Sequence, residues 1–321
     1  MHIPDGMLDA KTCVGTAVVA AGAVAYALRR VRPAVAERSA PLMGVAAACL
    51  FAAQMMNFPI PGGTSGHLLG GVLAAVILGP WSGLLVLTVV LGVQSILFQD
   101  GGITALGANL LNVGVIGSLV GYAIFEPIRR SVGGQRGTVV GAVVAAWFSV
   151  VLAASACSVE LALSGDRLPL APVLAVMLLF HSMIGLGEAI ITGFALTFVL
   201  RIRPDLVYGQ TSGSGILVRS AQVIVAGLAL ALFVAVLLSP FASPLPDGLE
   251  KAMMDLGRAS RPAEPLLKAP MPEYVLSGWE NVRLAGSVAG GVGTVVVFGA
   301  AFLLARGLSS KSSAVHSPHA S

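Results

Sequence analysis

The chain has 321 residues, of which 56% are hydrophobic and only 11% charged, with a formal charge of +4 and a mean hydropathy of +0.89. A soluble domain carries about 25% charged residues, so this composition excludes an ordinary soluble protein and points to an all-α integral membrane protein. Its apolar runs are continuous and reach the roughly 20 residues that a helix needs to cross a bilayer, whereas a membrane barrel shows alternation. The small positive charge sits in loops and is not a nucleic-acid signal.

The chain opens Met1-His2-Ile3-Pro4-Asp5-Gly6-Met7-Leu8-Asp9. This stretch lacks the basic start of a signal peptide and carries Asp5, so the amino terminus is expected to be mature as written. A histidine at position 2 then puts three nitrogens within reach of one ion: the Met1 amine, the His2 backbone nitrogen and the His2 imidazole. Closing them on a metal makes two fused, nearly flat chelate rings. Such a set suits Ni(II) or Cu(II), and can hold Co(II), but does not suit Mg or Ca. One coordination position stays open.

Apolar runs follow at about 8–28, 40–57, 67–79, 82–98, 104–125, 138–163, 171–200, 216–238 and 284–305. They predict nine spanning helices, the third of them short. The basic residues Arg29, Arg30, Arg32 and Arg38, then Arg129, Arg130 and Arg136, then Arg201, Arg203 and Arg219, and finally Arg306 and Lys311, all fall on one side of a nine-helix path. By the positive-inside rule that side is cytoplasmic. The amino terminus is therefore expected outside the cytoplasmic membrane and the carboxy terminus within.

The second outside loop, Asn57-Phe58-Pro59-Ile60-Pro61-Gly62-Gly63-Thr64-Ser65-Gly66-His67, reads as a shaped turn. His67 ends it on the same side as Met1 and His2, and is the natural occupant of the open position. Asn57, Gln94, Asp100, Asn109 and Asn112 lie near the outer ends of helices, where they either orient the ligands or shape loops. His181 and Glu188, seven apart, face the same way within the seventh helix. They form a second metal stop or relay, or else a buried His–Glu pair or separate hydrogen bonds that pin helices together. Glycines such as Gly114, Gly117, Gly121, Gly185 and Gly187 permit close helix approach. The cysteines Cys13, Cys49 and Cys157 sit singly in apolar runs and read as small core residues.

Residues 1–205 thus form a seven-helix metal-binding body, and 206–307 a two-helix unit. The latter carries a proline-rich outside loop, 239–283, with a short helix near 248–258. The tail, 308–321, is expected to be disordered, and its His316 and His319 are not counted as ligands. None of the four lysines follows a glycine, so the chain offers no phosphate loop and no ATP site. There is no H-E-x-x-H, and a planar four-nitrogen site leaves little room for a reactive water, so a metalloenzyme fits poorly. The rival to a partner-driven importer is a stand-alone secondary transporter or channel for divalent transition metals. Such proteins usually carry charged residues along a central path, or inverted repeats. Acid is expected to release the ion as imidazoles protonate near their ordinary pKa of about 6.5.

Three segments in order carry a resemblance: Met1-His2-Ile3-Pro4-Asp5-Gly6, then Pro59-Ile60-Pro61-Gly62-Gly63-Thr64-Ser65-Gly66-His67-Leu68-Leu69-Gly70-Gly71, then Phe98-Gln99-Asp100-Gly101-Gly102-Ile103-Thr104-Ala105-Leu106-Gly107-Ala108-Asn109. Together they resemble the substrate-binding membrane subunit of energy-coupling-factor cobalt and nickel importers. The remainder, with Pro246-Asp247-Gly248-Leu249-Glu250, is similar to the two-helix accessory subunit of the same systems, here fused. The resemblance implies a bacterial or archaeal membrane protein that binds Co(II) or Ni(II) as transported substrate through the Met1 amine, the His2 amide and imidazole nitrogens and His67. It also implies a scaffold membrane protein and ATP-binding subunits on separate chains, a link to cobalamin synthesis or nickel enzymes, and an accessory unit that assists metal loading. Cobalt against nickel stays open.

Overall fold

The computed structural model describes residues 2–313 apart from Arg32, Asp166, Arg167, 210–219, 259–264 and Ser277. Side chains at 33–39, Ser220 and 310–313 also fall outside the description. So do Met1, the expected amine ligand, Arg219, and His316 and His319 of the tail.

Helices α1 (Ala10–Arg30) and α2 (Pro33–Gln54) lead into a hairpin of β1 (Phe58–Ile60) and β2 (Thr64–Gly66). Helices α3 (Gly71–Leu78), α4 (Pro80–Val93), α5 (Leu106–Asn109), α6 (Gly121–Val132), α7 (Gly134–Leu163) and α8 (Leu170–Ile202) complete the first unit. The second unit holds α9 (Ser220–Leu232), α10 (Gly248–Asp255) and α11 (Val282–Ser313). Wider π-type turns extend α4 over Gln94–Phe98 and α9 over Phe233–Leu238, and turns of the same kind over Leu110–Val120 join α5 to α6 in one rod.

Among the described residues seven helices are long and apolar enough to cross a membrane: Ala10–Arg30, Pro80–Phe98, Leu106–Val132, Gly134–Leu163, Leu170–Ile202, Ala221–Phe241 and Val282–Ser309. Helix α2 adds a shorter apolar stretch, Ala40–Gln54. The expected nine spanning helices are thus corrected, and the third is the clear departure. Helix α3 has eight residues, about 12 Å at 1.5 Å each.

The cause is visible in the backbone before α3. Gly70 takes φ +75°, which an L side chain rarely adopts, and the freed backbone groups are met by side chains. The Leu69 and Gly70 N–H groups donate to the two carboxylate oxygens of Glu188 at 2.6 and 2.8 Å, and Gln54 Nε2 donates to the Leu69 carbonyl at 2.9 Å. Irregular backbone is tolerated within a membrane protein where protein groups satisfy it in this way. At the far end of α3 the Val76 carbonyl accepts from Tyr208 N–H at 3.0 Å, beyond the end of α8. An extended start and a short helix together connect the two ends of the body.

Replacing Glu188 with Ala strands two buried N–H groups, and is expected to lower stability by roughly 3 kcal/mol, while Glu188→Gln, which keeps one acceptor, loses about half of that. Thermal unfolding in detergent checks both, and an unchanged Tm for Glu188→Ala would remove the carboxylate from this role.

Small residues set the close contacts. A Cβ on Gly71 would lie 2.5 Å from Gly117 Cα, and one on Gly187 would lie 2.6 Å from the Phe58 ring. The second unit packs on α2: a Cβ on Gly44 would meet the Phe298 ring at 3.0 Å, and one on Gly227 would meet Val45 at 2.3 Å. Val14, Val18, Phe194 and Phe198 are exposed on the outside, as lipid-facing positions should be. The tail departs from expectation near its start. Helix α11 continues through Gly307 to Ser313, because Leu304 and Leu308 still pack against the core and Ala305 is fully buried.

Candidate metal site

The amino-terminal segment runs into the protein. Ile3 is fully buried, and its backbone is clamped on both sides. Ile3 N–H donates to Asn109 Oδ1 at 2.8 Å, while the Ile3 carbonyl accepts from Asn109 Nδ2 at 3.1 Å and from Gly102 N–H at 2.8 Å. Asp5 Oδ1 accepts from both the N–H and the hydroxyl of Thr104. A Cβ on Gly102 would lie 2.3 Å from Asp5 N, which is why the Gly-Gly pair at 101–102 admits this segment. Asp9 then caps α1 by accepting from Thr12 N–H at 2.8 Å. Sequence reasoning placed Asn109 near the terminus but found no role for Asp5 or Thr104.

The second wall is the hairpin. Its register pairs Phe58 with Gly66 and Ile60 with Thr64, and Gly62 and Gly63, both at positive φ, close the three-residue turn. The turn delivers His67 against the amino-terminal segment. The His2 and His67 rings stack with centroids 4.9 Å apart and planes 6° from parallel. His67 is 6% exposed. Its Nδ1 lies 3.1 Å from the Leu68 carbonyl, which can only accept, so Nδ1 carries the proton and Nε2 the lone pair. Burial, helped by nearby positive charge that includes His2, lowers the His67 pKa to about 3.

This shift alters the expected acid response. His67 stays neutral through the range near pH 6.5, so proton competition there does not begin at this ring. Because its folded pKa lies below the unfolded value, its contribution to stability is present above about pH 6.5 and is lost as the pH falls toward 3. Imidazole NMR of metal-free protein should find His67 neutral at pH 5, and a midpoint near 6.5 would contradict the burial argument.

His2 Nδ1 lies 3.1 Å from Asp100 Oδ1, and His2 Nε2 is buried without a hydrogen bond among the described residues. Asp100 in turn accepts from the Tyr274 hydroxyl at 2.6 Å. The His2 charge and the hydrogen bonds from His2 and Tyr274 outweigh burial and hold the Asp100 carboxyl well below its usual range. Gln94 Nε2 reaches Tyr274 Oη at 3.4 Å, so Gln94 touches this chain of groups indirectly. The Asn57 carbonyl accepts from Ser243 N–H, which ties the hairpin to the accessory loop. Asn112 is turned elsewhere and donates to Glu160 at 2.7 Å.

The accessory loop forms the third wall. Ser65 N–H donates to the Pro246 carbonyl at 2.8 Å, and the Thr64 and Ser65 hydroxyls donate to the carbonyls of Pro246 and Leu245. Asp247 caps α10, accepting from Leu249 and Glu250 N–H, while the Glu250 side chain returns to Asp247 N–H. Surrounding positive charge, with the Glu250 N–H, outweighs burial and holds the Asp247 carboxyl below its usual range. A narrow pocket is lined by Ser65, His67, His181, Asp247 and Gly248 among others. His181 donates from Nδ1 to the Met177 carbonyl at 2.9 Å and presents a buried Nε2 without a hydrogen bond among the described residues. It makes no hydrogen bond to Glu188 among the described residues; each of the two serves backbone groups.

Among the described residues no three His, Cys, Asp or Glu side chains converge as a metal site.

Residues 2–206 match the family model described as "Cobalt uptake substrate-specific transmembrane region", and residues 221–310 match the PDGLE domain. A protein of Archaeoglobus fulgidus named as a fused nickel transport protein, NikMN, is 35% identical over 308 residues, covering 95% of this chain and 98% of its own. The cobalt transport protein CbiM of Sorangium cellulosum is 34% identical over 216 residues, covering 64% of this chain and 94% of its own. The crystal structure of a truncated transition metal transporter aligns with a TM-score of 0.57 at 32% identity, over 63% of this chain and 99% of that one. The chain is therefore a multi-pass membrane component of cobalt or nickel uptake, and belongs to the family of cobalt-uptake substrate-specific transmembrane regions, fused here to a PDGLE domain.

Proposed function

We propose that this chain captures Co(II) or Ni(II) for an ATP-driven energy-coupling-factor importer, through the Met1 amine, the His2 amide and imidazole nitrogens, and His67. The observation that carries this reading is the stacking of His2 on His67 in a buried site, although they lie 65 positions apart in sequence. The nitrogen that closes a chelate ring with the His2 amide is Nδ1, which faces Asp100. Capture therefore requires a half-turn of the His2 ring about χ2. That turn keeps the ring plane and brings Nε2–H toward Asp100, giving the carboxylate–histidine–metal arrangement that fixes a ligand's tautomer.

Asp100 and Asn109 act around the ligands: the first meets the His2 ring and the second anchors Ile3. Gln94 and Asn57 support the loops. The face bearing the site is extracytoplasmic, and the Arg-bearing loops at the other end lie in the cytoplasm. A scaffold membrane protein and ATP-binding subunits on other chains drive release. The accessory loop, seated on Ser65 with the acidic Asp247 beside the pocket, assists loading by drawing in a cation. That Glu188 is spent on Leu69 and Gly70 supports a partner-driven mechanism over a charged path through this chain alone.

Calorimetry on the full chain with its native amino end should find one Ni(II) or Co(II) bound per chain. Absence of binding under conditions where the protein is folded would end this reading.

A further inference from the structure

We infer that Tyr274, from the accessory unit, is a positioning residue for the His2 ligand and acts through Asp100. This rests on the capture reading above. Tyr274 lies 174 positions from Asp100 in sequence, yet its hydroxyl donates to Asp100 Oδ2 at 2.6 Å while Asp100 Oδ1 holds His2 Nδ1 at 3.1 Å. One carboxylate thus joins a side chain of the accessory loop to the ring of an amino-terminal ligand.

The placement of Tyr274 is built rather than incidental. Its ring stacks on Phe98 with centroids 4.6 Å apart and meets Phe51 edge-on at 6.0 Å. Met271 N–H donates to the Leu97 carbonyl at 3.0 Å, which seats the short turn Pro272–Tyr274 on the end of the π-type segment after α4. Glu273 and Tyr274 take φ of 52° and 60°. Side-chain-bearing residues persist in that region only where their surroundings fix them, and such strain concentrates at functional positions. Turned this way, the backbone aims the hydroxyl at Asp100. With one oxygen occupied by Tyr274, Asp100 loses the freedom to swing from His2, and its second oxygen stays available in either orientation of the imidazole.

Partners of this kind, one step removed from the metal, commonly affect affinity by about 10–100-fold. Tyr274→Phe keeps both ring contacts and removes only the hydroxyl. In the full chain with its native amino end it should weaken Ni(II) binding by that range in competition with a chelator, and should move the His2 imidazole 15N resonances of metal-free protein. On an Asp100→Asn background the same change should cost little more, since residues acting in one chain are not additive. Unchanged affinity with unmoved His2 resonances would overturn the assignment, as would an equal loss in both backgrounds. If Tyr274→Phe does not fold, uniform 3-fluorotyrosine labelling keeps the shape and acidifies the phenol. A shift at His2 then supports the link, and none refutes it. Should unmodified protein bind no Ni(II), the capture reading fails instead, while the 15N measurement on metal-free protein still judges Tyr274.

Discussion

A chain extended by a few residues before Met1 should lose metal binding by at least about a thousandfold, roughly 4 kcal/mol. Two effects combine. Acylation turns a basic amine into an amide that no longer offers its lone pair, and the chelate loses its terminal donor. The segment also has no slack to accommodate extra residues. Ile3 is locked by Asn109 and Gly102, and Asp5 by Thr104. Added chain must therefore enter the site itself, because everything downstream is pinned. Calorimetry comparing native-ended protein with a tagged form, and with the tag cleaved to restore Met1, measures this. Tight binding by the extended form would disprove the amine ligand, and recovery on cleavage isolates the terminus as the cause.

His67→Ala should weaken binding by about a hundredfold or more, roughly 3 kcal/mol, while leaving the fold in place. The ring supplies the fourth nitrogen and the stacking surface for His2. Its hydrogen bond to Leu68 is local, between neighbours in sequence, so its loss does not open the Glu188 clamp on Leu69 and Gly70. Truncating a buried ring leaves a cavity, and a loss of up to about 3 kcal/mol of stability is expected. Circular dichroism and a melting curve on the same sample separate the two effects. Affinity equal to the unsubstituted protein's would clear His67 of ligation.

Much of this architecture was readable from the chain. Apolar length located α1, α4, α7, α8, α9 and α11, because those helices meet lipid and must be apolar along their whole extent. The Pro-Gly-Gly segment was legible as a shaped turn, since Gly62 and Gly63 take φ values that few residues permit. The convergence of His2 and His67 followed from counting crossings, even though the third crossing is no regular helix.

What escaped depends on partners distant in sequence. The interruption before α3 is set by Glu188, 119 positions from Leu69, and periodicity carries no mark of it. Read alone, His181 and Glu188 left a metal stop, a relay, a buried pair and separate helix-pinning hydrogen bonds open, and the structure gives each to a different backbone segment. Tyr274 had no local signal at all: a lone tyrosine in a proline-rich loop acquires its importance only when the loop folds onto Phe98. Helix α11 outlasted its expected end because burial of Leu304 and Leu308 overrides a serine-rich composition.

The hydrogen bonds that seat the accessory loop on Thr64 and Ser65 join segments about 180 residues apart on a single polypeptide. Tethering turns such docking into an intramolecular event with an effective concentration on the order of millimolar. Each contact can then be individually feeble and the loop still spend most of its time seated, while detaching and returning quickly. Cutting the tether between the two units should make occupancy depend on dilution, a dependence that the fused protein escapes.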